Sequence, residues 1–271
     1  TVIWYPWIPF ALFNYDSQPV PTGLSSLVDL SFLFTPGVNA FVFVLSLGLL
    51  HLYIRGRHLR LVTGGMFLLT LLVYTLHDAQ GSFTRNDVLT MIVAGQFLAH
   101  LFFHGQDPQT IRDRAISYSK QALLAAFFIS GVTKVQTSGL DWVLDAPNIS
   151  LQMYKSNMSN FLSLEWEGFR WMAENWSQLF AENATLVRCL FAVVLLLELC
   201  CPVAMLSKKA ALRVGWALVL LQGGFVVFLG VLFPSFLGST LIFLVNVPAG
   251  LSRLEARFRR KSTPSSISPT T

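Results

Sequence analysis

Apolar residues run along this chain in long blocks broken by short basic or acidic stretches. Seven blocks are of a length for helical spans: 38–54, 61–76, 88–104, 115–134, 186–206, 212–232 and 235–251. The alternating ten-residue segments of an outer-membrane barrel are not present. A helix rises 1.5 Å per residue, so crossing about 30 Å of hydrocarbon takes roughly 20 residues. Several blocks are near 17 residues and 61–76 is shorter still, so tilt or local bilayer thinning is expected. The pattern predicts an all-α, polytopic transmembrane bundle of about seven spans over residues 1–251. Residues 2–13 are apolar but too short to span; they fit either a partial N-terminal span or an aromatic interfacial segment. Residues 14–36 form a Pro-punctuated loop, with room for a short interfacial helix over 24–34.

Composition agrees with the pattern. Of 271 residues 54% are apolar and only 12% charged, whereas soluble domains carry about 25% charged residues. Lipid is therefore the main solvent. The net charge of +5 implies no nucleic-acid partner, because the basic residues are sorted by loop and form no stripe interleaved with aromatics. Loops 55–60, 105–114 and 207–213, with the tail, hold thirteen Lys and Arg; the opposite side holds five, while ten of fourteen acids lie on that opposite side. This is a positive-inside distribution. It puts the large loop 135–185 on the lumenal or extracellular side. The C-terminus is then cytosolic, with 252–271 a basic anchor followed by a Ser/Thr/Pro-rich disordered tail. The loop carries Trp142, Trp166, Trp171 and Trp176 and fits one or two amphipathic helices over Phe161–Phe180, a surface for other membrane proteins. Its four N-x-S/T sequons, at Asn148, Asn157, Asn175 and Asn183, predict a glycoprotein of the endoplasmic reticulum or another secretory-pathway membrane if the source is eukaryotic.

Candidate chemistry is sparse. Cys189, Cys200 and Cys201 show no metal or disulfide spacing and are expected to serve packing. No metal site, G-x-S-x-G, Walker or G-x-G-x-x-G sequence is present. Glu198 stands mid-span, where an ionised carboxylate costs at least about 2.5–3.5 kcal/mol. It is either interhelical packing glue or a relay or orienter for a bound polar head group. Pro202, four residues on, is placed to open the backbone. Gln96 and His100 share one helix face; Gln222 with Gly223 and Gly224, and Asn39, Gln121 and Asn246, add polar points to the apolar blocks. Each alone is ordinarily interhelical hydrogen bonding. His77-Asp78 and Arg85-Asn86-Asp87 flank the short loop before the third span; His77 is of a type that can serve as general acid or base, but a lone loop histidine is ordinarily just solvated. Lys134 ends an apolar run. It is either a snorkelling anchor or a base in a poorly solvated site.

The segment Ser130-Gly131-Val132-Thr133-Lys134, followed by Asp141-Trp142, resembles the Y-x-x-A-G-x-x-K-L…W motif of the HTTM family, the membrane domain shared with vitamin K-dependent gamma-glutamyl carboxylase. Tyr15-Asp16 with Pro19 and Pro21, Gly81 to Asp87, the run Leu190–Pro202 and the Phe233-Pro234 turn are similar to further short family motifs, so the likeness extends over nearly the whole chain. It implies Lys134 as a base on a vitamin K or other quinone-type lipid, with Glu198, Gln222, Trp142, Gln96 and His100 around that ligand. The chain also departs from the family. Gln222 stands where the family has a histidine, the carboxylase's histidine at the entry to the third span has no counterpart, and no large lumenal domain follows residue 251. Glutamate carboxylation is not expected of it, since a fold outlasts its chemistry.

Two functions are thus carried forward. In the first, favoured by the missing histidines, the chain is a non-catalytic accessory or structural subunit of a membrane complex. In the second it is a small membrane enzyme or lipid-binding protein using Lys134. A transporter is a weaker third, since no inverted repeat is visible.

Overall fold

The computed structural model describes residues 36–79, 87–230 and 233–248, with Leu27 and Ser252. The expectations for residues 2–13, Tyr15, Asp16, Pro19, Pro21, Gly81, Asn86 and the tail beyond Ser252 lie outside the described residues, as do the side chains of Asn39, His77, Asp78 and Asp87. Among the described residues every regular element is helical. The order is α1 Pro36–Ile54, α2 Leu59–Ala79, α3 Asp87–Phe102, α4 Pro108–Ser138, α5 Asp141–Leu144, a 3₁₀ turn Ala146–Asn148, α6 Ile149–Leu164, α7 Glu167–Glu182, α8 Ala184–Cys200 with a 3₁₀ turn Cys201–Met205, α9 Lys208–Leu229, α10 Pro234–Thr240 and a π-helical turn Leu241–Val245.

Among the described residues three helical stretches are long and apolar enough to cross a membrane: Pro108–Ser138, Ala184–Met205 and Lys208–Leu229. Four shorter apolar helices, Ala40–Ile54, Leu59–Thr75, Val88–Phe102 and Pro234–Val245, fall on the remaining predicted blocks. The last of these is not the continuous helix expected over 235–251. It passes from α to π geometry after Thr240 and stops at Asn246, whose φ of 59° is left-handed. Asparagine tolerates that conformation, and the chain turns helical again at Val247 and Pro248. α4 overruns its expected block at both ends. Asp107 caps it, its side chain accepting from the Gln109 and Thr110 amides at 3.0 and 3.2 Å, with Pro108 in the first turn.

Glycines set the helix contacts that position the site. A Cβ on Gly95 of α3 would lie 3.2 Å from the Tyr118 backbone of α4, and one on Gly215 of α9 would lie 2.8 Å from Leu244 Cβ in the π turn. Close approach of this kind is how small residues serve helix packing in lipid. Around these contacts Leu123, Leu124, Phe127, Cys201, Leu218 and Leu244 form the central core. Cys201 is buried and its thiol donates to the Leu124 carbonyl at 3.3 Å, whereas Cys200 is exposed. A separate cluster of Val62, Met66, Leu69, Val73 and Val93 joins α2 and α3, with α1 side chains packed on it.

The stretch expected as one or two amphipathic helices over Phe161–Phe180 falls on two helices, α6 and α7, parted at Glu165, which takes a left-handed φ of 53°. This pair is docked on the C-terminal end of α9. The Asn157 amide donates to the Phe228 carbonyl at 2.8 Å, the Ser156 hydroxyl to Leu229 at 2.7 Å and the Asn160 amide to Gly230 at 3.1 Å. Three carbonyls left over at a helix end thus receive side-chain partners. Trp176 packs edge-on against Phe228 with ring centroids 5.0 Å apart.

Candidate functional site

α4 and α8 meet at Gly131 and Glu198. Lys134, one turn beyond Gly131, reaches across the contact and donates to both carboxylate oxygens of Glu198, at 2.6 and 2.5 Å. The Glu198 side chain is only 5% exposed and that of Lys134 22%. The lysine turns inward toward α8, and α4 runs on past it to Ser138. Taking two charges out of water costs several kcal/mol per ion, and mutual attraction with good geometry offsets much of that. Glu198 is thus neither isolated nor paired with a neutral neighbour.

The Lys134 ammonium also lies 4.6 Å from the ring centroid of Trp142 in α5, within cation–π range. The indole also packs against Phe191 of α8, ring centroids 5.1 Å apart. Trp142 further lines a hollow of about 480 Å³ with Thr137, Ser138, Asp141 and Asp145.

The ion pair itself lines a smaller cavity of about 250 Å³. Lys134, Glu198 and Ser130 supply polar groups, while Phe127, Phe225, Phe233 and Phe236 supply aromatic wall. Phe127 and Phe236 meet edge to face at 5.2 Å, and Phe225 and Phe233 at 5.9 Å. Gln222 of α9, with Ala126 and Ile129 of α4, completes the lining. It is 4% exposed, and its amide nitrogen donates to the Thr240 hydroxyl at 3.4 Å. Its Oε1 has no hydrogen-bond partner.

Of the residues singled out from sequence, the structure brings Lys134, Glu198, Gln222 and Trp142 to one place. It does not bring Gln96 or His100 there, and that expectation is corrected. Gln96 accepts from Tyr53 at 3.3 Å and donates to Ser119 at 3.4 Å, tying α1, α3 and α4 together; His100 is half-buried one turn further along α3. Gln96 is the interhelical link that a lone intramembrane amide ordinarily is. Asn157 is corrected too. It is fully buried, its amide nitrogen donating to Met153 and Phe228 carbonyls, so a glycan on that nitrogen has no space in this fold. Asn148, Asn175 and Asn183 are exposed.

The aromatic wall and Thr240 were not anticipated. A signal for the second was present: buried Ser235, Ser239 and Thr240 put a polar stripe, at four- and five-residue spacing, on an otherwise apolar helix. Among the described residues no group of three His, Cys, Asp or Glu could hold a metal ion.

Among the described residues the fold is all-helical, with three helices long and apolar enough to cross a membrane and an ion pair buried between two of them. No family model, no curated protein and no solved structure matches it.

Proposed function

We propose that this chain is a multipass membrane protein that binds a lipophilic ligand beside the Lys134–Glu198 pair. The observation that carries the proposal is a buried ion pair facing a cavity whose remaining wall is largely aromatic. Intramembrane ionisable residues mark functional sites by default, and mostly apolar pockets with a few placed polar groups are the usual form of a small-molecule site. All seven apolar blocks crossing the bilayer would put loop 135–185 on the lumenal or extracellular side by the thirteen-to-five sorting of Lys and Arg.

Relationship to the HTTM family is part of the same reading. It is supported by Gly131, Lys134, Trp142 and Glu198, which carry the resemblance and lie together, and a vitamin K or quinone-type lipid is the ligand class it implies. Base catalysis is supported less well. Lys134 already gives two charge-assisted hydrogen bonds to Glu198, and an ammonium so engaged would have to give up a proton of its own before it could take one from a substrate. Binding without turnover, as an accessory subunit of a larger membrane complex, fits that engagement better.

Native purification in mild detergent, with mass spectrometry of co-purifying proteins and extracted lipids, tests the proposal. The expected result is a neutral lipid at near-stoichiometric level that is lost from a cavity-filling Ala126→Phe variant of normal thermal stability. Retention of the same lipid profile by that variant would overturn the binding reading.

A further inference from the structure

The cavity has two polar walls of different character. Lys134 and Glu198 pair with each other, so together they present no net charge for a charged head group to neutralise. Gln222 is opposite in kind: a neutral amide, more than nine-tenths buried, with one end committed and one end open.

Which end is open follows from Thr240. Its hydroxyl donates to the Phe236 carbonyl at 2.8 Å, one turn back in α10. That proton being spent, the Thr240 oxygen toward Gln222 is an acceptor, and the amide must present its NH₂ to it. The Gln222 Oε1 is consequently the free end, and it is an acceptor without a donor. A buried polar atom left so costs about 1–3 kcal/mol, a cost that a ligand with a matching donor removes. An ether or a carbonyl at the same point brings no proton and would leave the acceptor unsatisfied.

We propose that Gln222 is the specificity-determining residue of the cavity: its Oε1 accepts a hydrogen bond from a neutral hydroxyl on a flat, apolar ligand held among Phe127, Phe225, Phe233 and Phe236. This rests on the binding reading above and narrows it to hydroxyl-bearing molecules. Thr240 acts as a positioning residue, holding the amide in the one orientation that reads a donor.

The test uses the full chain in lipid nanodiscs with two probes, 2-naphthol and 2-methoxynaphthalene, which share a ring system and differ in the hydroxyl proton. Saturable binding above that of empty discs is followed by probe fluorescence. The wild-type chain is expected to favour the naphthol by about tenfold, the discrimination that one satisfied buried acceptor supplies. Gln222→Met, which keeps length and loses the acceptor, brings the ratio close to one. Thr240→Val, which releases the amide, lowers it several-fold while overall binding persists, and it carries the test alone if Gln222→Met fails to fold. A ratio unchanged in these variants, or equal binding of both probes by the wild type, overturns the role of Gln222 while leaving the cavity as a binding site. Absence of saturable binding by either probe overturns both.

Discussion

Gly131 lies against Glu198 so closely that a Cβ built on the glycine would stand 3.0 Å from the glutamate Cβ and 3.2 Å from a Leu199 methyl. The missing side chain sets the α4–α8 distance, and that distance lets Lys134, three residues on, grip both carboxylate oxygens. Gly131→Ala gains up to about 1 kcal/mol of helix propensity and loses more to overpacking, which costs about 1–3 kcal/mol. The expected outcome is a lower melting temperature in detergent, lower again for Gly131→Val. An unchanged or raised value for the alanine variant would show that α8 gives way easily and that the glycine does not set the contact.

The ion pair is expected to be costly to break and cheap to replace. Lys134→Met or Glu198→Leu alone strands a buried charge, a loss of about 3–5 kcal/mol. The double variant removes both charges and should melt above either single variant. A double-mutant cycle in detergent checks this; additive losses would mean that the two side chains are stabilised separately, by water or lipid head groups.

Trp142 contributes through its ring face. Trp142→Leu keeps apolar bulk against Phe191 but removes the cation–π contact with Lys134, an expected loss of about 1–2 kcal/mol. Trp142→Phe should retain part of it. The comparison is informative in the Lys134→Met background, where the Leu and Phe variants should converge.

Glycosylation separates buried from exposed sequons. Translated into microsomes, the chain is expected to gain glycans at Asn148, Asn175 or Asn183 if loop 135–185 is lumenal, and none at Asn157. Asn157→Gln should leave the glycan ladder unchanged while lowering stability by about 1–3 kcal/mol, because the capped Phe228 carbonyl loses its donor. A glycan mapped to Asn157 would contradict the docking of α6 on α9.

Much of the architecture was legible from the chain alone because it depends on local, one-dimensional quantities. Block length and hydropathy anticipated an all-helical architecture, with three helices among the described residues long and apolar enough to cross a membrane, and Asp107-Pro108 and Ser207, whose side chain accepts from the Ala210 amide at 3.1 Å, are capping signals readable in sequence. Where a helix ends by a special backbone conformation the reading failed: Glu165 and Asn246 stop helices with left-handed φ, and only Asn246 is of a type that forecasts it.

The site divides in the same way. By itself the sequence determined that Lys134, Glu198 and Gln222 are anomalous, because a polar group in an apolar run is costly wherever the run ends up. It could not decide what each does, since Lys134 and Glu198 are 64 residues apart and their partnership depends on two helices meeting at Gly131. The same holds for Gln96, drawn off to Tyr53 and Ser119, and for Asn157, a sequon in sequence and a buried helix cap in space. Tertiary structure decided these cases because a polar side chain in a low-dielectric interior is governed by the partner it finds, and partners come from helix packing rather than from sequence neighbours.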